Sequence, residues 1–144
     1  MVKVYRSRTR SDITTADIDA ILASSRRHNE DAAITGMLLL GNGYFVQVIE
    51  GNGPAVERTY RRILSDSRHG DAVLLYDGSG EPRRFGGWSM GFSRMEPHAH
   101  VASVARFLQH DHEADPYGFG PEATLALLLD FRRICSGSGT VAAA

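Results

Sequence analysis

Residues 2–7 (VKVYRS) are a short run of β-branched and aromatic side chains, which predicts a first strand. From Asp12 or Thr15 the period changes. Ile18, Ile21, Leu22 and Ser25 recur at helical spacing as far as His28 and Asn29, which predicts a helix ending there. Residues 33–41 (AITGMLLLG) form a nearly continuous apolar run, as in a central buried strand. Asn42-Gly43 is a hairpin signal, and residues 44–50 (YFVQVIE) form the return strand. Gly51-Asn52-Gly53-Pro54 breaks the pattern, and Pro54 suits the first turn of a helix. Val56, Tyr60, Ile63 and Leu64 give that helix an apolar stripe to Ser65, with Arg58, Arg61 and Arg62 on the wet side. Residues 71–76 (DAVLLY) predict a fourth strand and residues 78–82 a loop. In residues 87–92 (GWSMGF), Trp88, Met90 and Phe92 alternate, which predicts a fifth strand with one apolar face.

The order β-α-β-β-α-β-β predicts an α+β fold on the split βαβ, ferredoxin-like plan. Two helices then cover one sheet face, and the third strand lies between the first and second. The opposite face also needs cover. Two later segments supply a two-helix cap: residues 98–109, with Val101, Val104, Phe107 and Leu108, and residues 121–134, with Leu125, Leu128 and Leu129. A polar loop, 110–120, joins them.

A chain of 144 residues fits one compact domain. Sixteen basic and seventeen acidic residues leave a net charge of −1, so no electrostatic footprint predicts a nucleic acid or a membrane as partner. The single Cys135 excludes an internal disulfide framework and a thiolate zinc site. The longest apolar runs are far shorter than a membrane span, and the N-terminus lacks a secretory apolar core. These features predict a cytoplasmic protein. His98, His100, His110 and His112 have no helical or cysteine context for a metal, so none is expected. The glycine pairs form neither GxGxxG before a helix nor a phosphate loop.

Gln47 is the oddest residue in the pattern. It lies in mid-strand between Phe45 and Ile49 on one face. A buried amide left unpaired costs ~1–3 kcal/mol, so it requires a partner or faces water. Tyr5, on the first strand, is its predicted cross-strand neighbour, or alternatively a core tyrosine. Asn29 reads as a helix-end residue, and Arg68-His69 as cations after the second helix.

These stretches together resemble the BLUF family, the blue-light sensors that use FAD. The resemblance rests on ITGMLLL, GYFVQVIEG, DSRH and RRFGGWSMGF in order, with YRS in the first strand and HN closing the first helix. It implies a flavin between the two helices over the central strands. It further implies that Tyr5 is the electron-donating tyrosine and that Gln47 bridges it to the flavin. Asn29 would hold the flavin's carbonyl edge, and Ser25 would be a small polar residue near the site. Arg68 and His69 would be the basic pair near the ring. Trp88 and Met90 match the family's fifth-strand tryptophan and methionine, which exchange positions near the glutamine. Leu40, often Tyr in the family, and Ile49, often Leu, read as packing changes.

The resemblance covers residues 2–92; together with the helical spacing and the composition beyond it, the expected division is a flavin-binding domain (1–95), a helical cap of the same domain (96–135) and a flexible tail (136–144). The expected function is a photoreceptor without catalysis of its own. It would bind FAD non-covalently, self-associate, and signal to a separate effector protein. The competing readings are a ferredoxin-like interaction module without photochemistry and a flavin-dependent oxidoreductase.

Overall fold

A computed structural model describes residues 1–79 and 82–138. The elements are β1 (Val2–Thr9), α1 (Thr15–Ala32), β2 (Thr35–Gly41), β3 (Tyr44–Glu50), α2 (Gly53–Leu64), β4 (His69–Gly78), β5 (Gly91–Arg94), a short 3-10 turn (Glu96–His98), α3 (Ala102–Gln109) and α4 (Pro121–Ser138). They form the expected α+β, ferredoxin-like sheet, in the order β4-β1-β3-β2-β5. The central pairings are antiparallel, and β5 runs parallel to β2.

Local chemistry accounts for the boundaries. Thr14 caps α1 in a reciprocal box: its hydroxyl accepts from the Asp17 N–H, and the Asp17 carboxylate accepts from the Thr14 N–H. The helix does not stop at His28–Asn29 as expected. It runs one turn further, to where Ala33 adopts a left-handed φ of 54° and its N–H closes on the Asn29 and Glu30 carbonyls. Asn29 is therefore inside the helix and buried, not at a solvated end. The β2–β3 hairpin turns on Asn42 and Gly43, both with positive φ. At Gly36 any Cβ would run into the Val48 carbonyl oxygen, so only glycine lets β2 lie this close to β3.

The sheet separates two cores. On one face α1 and α2 cover Leu38, Leu40, Phe45 and Ile49 with Ile18, Leu22 and Val56. Buried Lys3 ties α2 to the sheet through Glu57 (3.2 Å) and Asp77 (3.0 Å). On the other face α3 and α4 cover Val4, Met37, Leu39, Val46 and Val48 with Val104, Phe107, Leu127, Leu128 and Phe131. The cap thus covers the opposite face, as expected. Its second stripe is offset: Thr124, Leu127, Leu128, Phe131 and Cys135 are buried, whereas Leu125 and Leu129 lie at the margin. Helix α4 also continues through 136–138, which the sequence assigned to a tail; residues 139–144 lie outside the described residues.

The fifth strand departs most from expectation. Residues 87–90 run through a turn at Gly87 and a bend at Ser89–Met90, and the strand begins at Gly91. The cause lies upstream. Buried Glu50, at the end of β3, accepts from the Arg84 N–H (3.0 Å), the Phe85 N–H (2.6 Å) and the Thr35 hydroxyl (3.0 Å). This fastens the loop to the sheet and inserts Phe85 into the cap core. The chain then turns, so Trp88 and Met90 do not share a face. Trp88 packs with Phe85 on the cap side, and Met90 packs under α1 and α2. No helix among the described residues is long and apolar enough to cross a membrane.

Candidate functional site

The antiparallel register sets Tyr5 directly opposite Gln47, with both side chains on the α1/α2 face. The Tyr5 hydroxyl donates to Gln47 Oε1, and Gln47 Nε2 donates to Met90 Sδ at 3.4 Å. All three side chains are at most 3 % exposed, so no water substitutes for these bonds. The amide is held unequally. One end has a phenol partner and the other a thioether, a weak acceptor. Burial pushes the Tyr5 phenol far above its ordinary pKa, so it stays a neutral donor.

Beside this pair a cleft opens between the two helices. Its floor is Leu38, Phe45, Tyr5 and Gln47, and α1 contributes Ile21, Ser24 and Ser25. The segment after α2 contributes Asp66, Arg68 and His69. Arg68 chelates Asp66, with the shortest contact at 2.6 Å, and the Asp66 carboxyl is held below its usual range by those hydrogen bonds. His69 Nε2 lies 2.8 Å from the Ile63 carbonyl and therefore donates, leaving Nδ1 as a buried acceptor without a partner. Across the helices, His28 Nε2 faces Thr59 Oγ1 at 3.4 Å; burial, then Arg62, lower the His28 pKa.

The structure thus gathers Tyr5, Gln47, Ser25, Arg68 and His69 around one cleft, with Met90 behind Gln47. Asn29 lies in a neighbouring hollow with Ser89, Gly86 and Ala33. Its Nδ2 donates to the Ser89 carbonyl at 2.7 Å, and its Oδ1 has no partner. Trp88 is on the other side of the sheet. Sequence reasoning missed Arg62 and Asp66, both on the lining. Asp66 lies in the DSRH motif, where only the basic pair carries an expected role, and the helical pattern puts Arg62 on a solvated face.

The donor set fits the flavin that the resemblance implies. Among the described residues, Ser7 Oγ, Asn29 Oδ1, His69 Nδ1 and Ser89 Oγ are buried without partners on this side. A ring that carries both N–H and carbonyl groups at its edge is the kind of group that satisfies such atoms. The cleft itself holds about 40 Å³, room for a few waters.

A family model described as BLUF, sensors of blue-light using FAD, matches residues 1–91. The blue light- and temperature-regulated antirepressor BluF of Escherichia coli (strain K12) is 35% identical over 83 residues, 58% of this chain and 21% of that protein. Photoactivated adenylate cyclase subunit beta of Euglena gracilis is 39% identical over 72 residues, 50% of this chain and 8% of that one. The chain therefore spans about a fifth or less of these curated relatives. The dark-state structure of BlrB, a BLUF protein, superposes with a TM-score of 0.70 at 32% identity, covering 88% of this chain and 94% of that one. The ground state of BlsA gives 0.75 at 23% identity over 89% and 86%, a likeness of fold.

Proposed function

This chain belongs to the BLUF family, the sensors of blue light using FAD, and from that premise we propose that it binds FAD non-covalently in the α1/α2 cleft, responds to blue light through Tyr5 and Gln47, and signals to a separate effector protein. The observation that carries this reading is the buried Tyr5–Gln47–Met90 relay on the cleft floor. When bound, FAD supplies blue-light absorption and an excited state that is a strong one-electron oxidant.

The residues do the rest. Tyr5 is a neutral phenol in a dry setting, so it keeps a transferable proton together with its electron. Gln47 Oε1 accepts the hydrogen bond from that hydroxyl. Gln47 has chemically different ends, and rotation or tautomerisation exchanges donor for acceptor. The weak thioether partner makes the exchange inexpensive at the Nε2 end, since ordinary hydrogen bonds contribute ~0.5–1.5 kcal/mol net. The reversed amide donates where it formerly accepted, and the spectrum moves slightly to the red. Such a small bias moves only a soft two-state element.

Asn29, Ser25, Arg68 and His69 are the proposed flavin-holding residues, Met90 the residue proposed to respond at Gln47, and Trp88 the residue proposed to follow it from the cap side of the same segment. Met90 leads through β5 to Met95, whose N–H bonds the Leu40 carbonyl at 2.8 Å and whose side chain is in the cap core. The cap is therefore the proposed surface for self-association and for the effector, with the cytoplasm as setting.

The deciding experiment is an absorption spectrum of the FAD-loaded protein before and after blue light. A red shift that reverses in the dark is expected, and an unchanged spectrum refutes the reading. Acid or heat should release the flavin into the supernatant. Hydrogen exchange across residues 92–134 tests the output: faster exchange in light is expected, and identical exchange at full photoconversion leaves the cap only a structural role.

A further inference from the structure

The segment that delivers Met90 to Gln47 has no strand hydrogen bonding of its own before Gly91. Three successive carbonyls hold it instead. The Gly36 N–H of β2 takes the Trp88 carbonyl at 3.0 Å. Asn29 Nδ2 takes the Ser89 carbonyl at 2.7 Å. Arg26 Nε takes the Met90 carbonyl at 2.9 Å. Two of the three holding groups come from one face of α1, one turn apart. The chain does not reach the sheet ladder until Gly91 meets Met37.

We propose that Arg26 is a positioning residue of the photocycle: by fixing the Met90 carbonyl it sets the Met90 thioether against the Gln47 amide and so governs how readily that amide reverses. This inference rests on the photoreceptor reading above. Several observations single out Arg26. Its bond is to the backbone of the residue whose thioether accepts from Gln47 Nε2. Met90 is fully buried, so its side chain cannot drift into solvent once its backbone is fixed. Asn29, the neighbouring clamp, is the residue proposed to hold the flavin; Arg26 has no such competing task and is not on the cleft lining. A guanidinium makes a charge-assisted bond to a carbonyl, stronger than the neutral amide bonds at Trp88 and Ser89.

The consequence is kinetic. The thioether gives up little hydrogen-bond energy when the Gln47 amide turns, but its buried bulk obstructs the rotation itself in both directions. Loosening the Met90 backbone lowers that obstruction, so the return to the dark state becomes faster. Arg27 is the internal control: it is the next residue on α1, carries the same charge, and is exposed.

The test compares wild type, Arg26→Ala, Arg26→Lys and Arg27→Ala in the full chain. Two quantities are read: the Met90 methyl carbon resonance of the flavin-free protein, and the dark-recovery rate of the FAD-loaded protein. Arg26→Ala should move the methyl resonance toward the value of a mobile methionine and speed recovery about three- to tenfold, the scale of a charged hydrogen bond partly replaced by water. Arg26→Lys should restore much of both, and Arg27→Ala should change neither. A methyl resonance unmoved in Arg26→Ala overturns the proposal. So does a moved resonance with recovery slower, or within twofold of wild type. So does an equal effect in Arg27→Ala. If FAD-loaded wild type shows no red shift, it is the photoreceptor reading that fails, and the methyl resonance alone then decides the Arg26 contact.

Discussion

The two faces of the sheet start from the same strands and end in different states. On the cap face Phe107, Phe119, Phe131, Met95, Leu127 and Leu128 are buried to 1 % or less, in edge-on aromatic contacts such as Phe107–Phe119 at 5.2 Å. Its buried polar groups are mostly matched: Arg6 donates to the Pro116 carbonyl at 2.9 Å, and Glu50 takes three donors. On the α1/α2 face, helix α1 buries only Ile18, Leu22 and Asn29 along its whole length. Among the described residues, four buried polar atoms lack partners on this side, and His112 Nδ1 is the counterpart on the cap side. A face that serves stability matches its polar groups and closes. A face that serves a ligand leaves polar atoms unmatched and packs its helix loosely.

The largest test of this contrast is the loss of the photoresponse. Tyr5→Phe and Gln47→Leu should each retain FAD yet abolish the reversible red shift, while costing the fold only ~1–2 kcal/mol for the partner atom left unpaired. A normal photocycle in either variant would remove the relay from the mechanism. On the other face the balance reverses. Phe107→Ala should lower unfolding free energy by ~3–5 kcal/mol in a urea titration, because the site is too well packed to collapse. Where that variant remains folded, its red shift should persist. A loss below ~1 kcal/mol would show that the cap is not the tighter face.

Asn29→Ala should reduce FAD affinity about tenfold, for the loss of ~1–2 kcal/mol in hydrogen bonding, with the spectral shift of the bound fraction preserved. Equal occupancy at limiting FAD would deny Asn29 a holding role. The smallest effect concerns His112. It is buried among Phe107, Tyr44 and Phe119, and its Nε2 donates to the Phe107 carbonyl at 2.9 Å. Burial lowers its pKa from the usual 6.5, with Arg6 and His110 acting in the same direction. The unfolded chain therefore binds this proton first as pH falls. Stability is complete above about 6.5 and declines as pH drops toward the lower folded value. His112→Phe should flatten that part of the acid limb, read as the urea midpoint between pH 8 and pH 5. It should not flatten all of it, because the His28 pKa is lowered too. An unchanged acid limb would place the titration elsewhere.

Much of the site was legible in the sequence, because strand pairing is read by period and register. Once residues 2–7 and 44–50 are strands on the split βαβ plan, Tyr5 and Gln47 become neighbours, and the register bears this out. The Asn42-Gly43 hairpin and the capping residues of α1 are equally local. The alternation of Trp88, Met90 and Phe92 was also local, and there it misled. It assumed a strand, but Glu50 holds the Phe85 backbone from 35 residues away in sequence and forces turns instead. Alternation then no longer assigns a face.

The amino-acid sequence by itself determined the α+β plan, the order of elements, the need for a cap and the pairing of Tyr5 with Gln47, because each follows from periodicity, turn chemistry and the rule that apolar faces are buried. Only the tertiary structure decided that Met90 and not Trp88 touches the glutamine, that Asn29 sits one hollow away from the cleft, and that Arg26 holds the Met90 backbone. Those depend on contacts between segments 43 to 64 residues apart, set by how α1 and the Glu50-anchored loop pack on the sheet edge, and no local pattern encodes them.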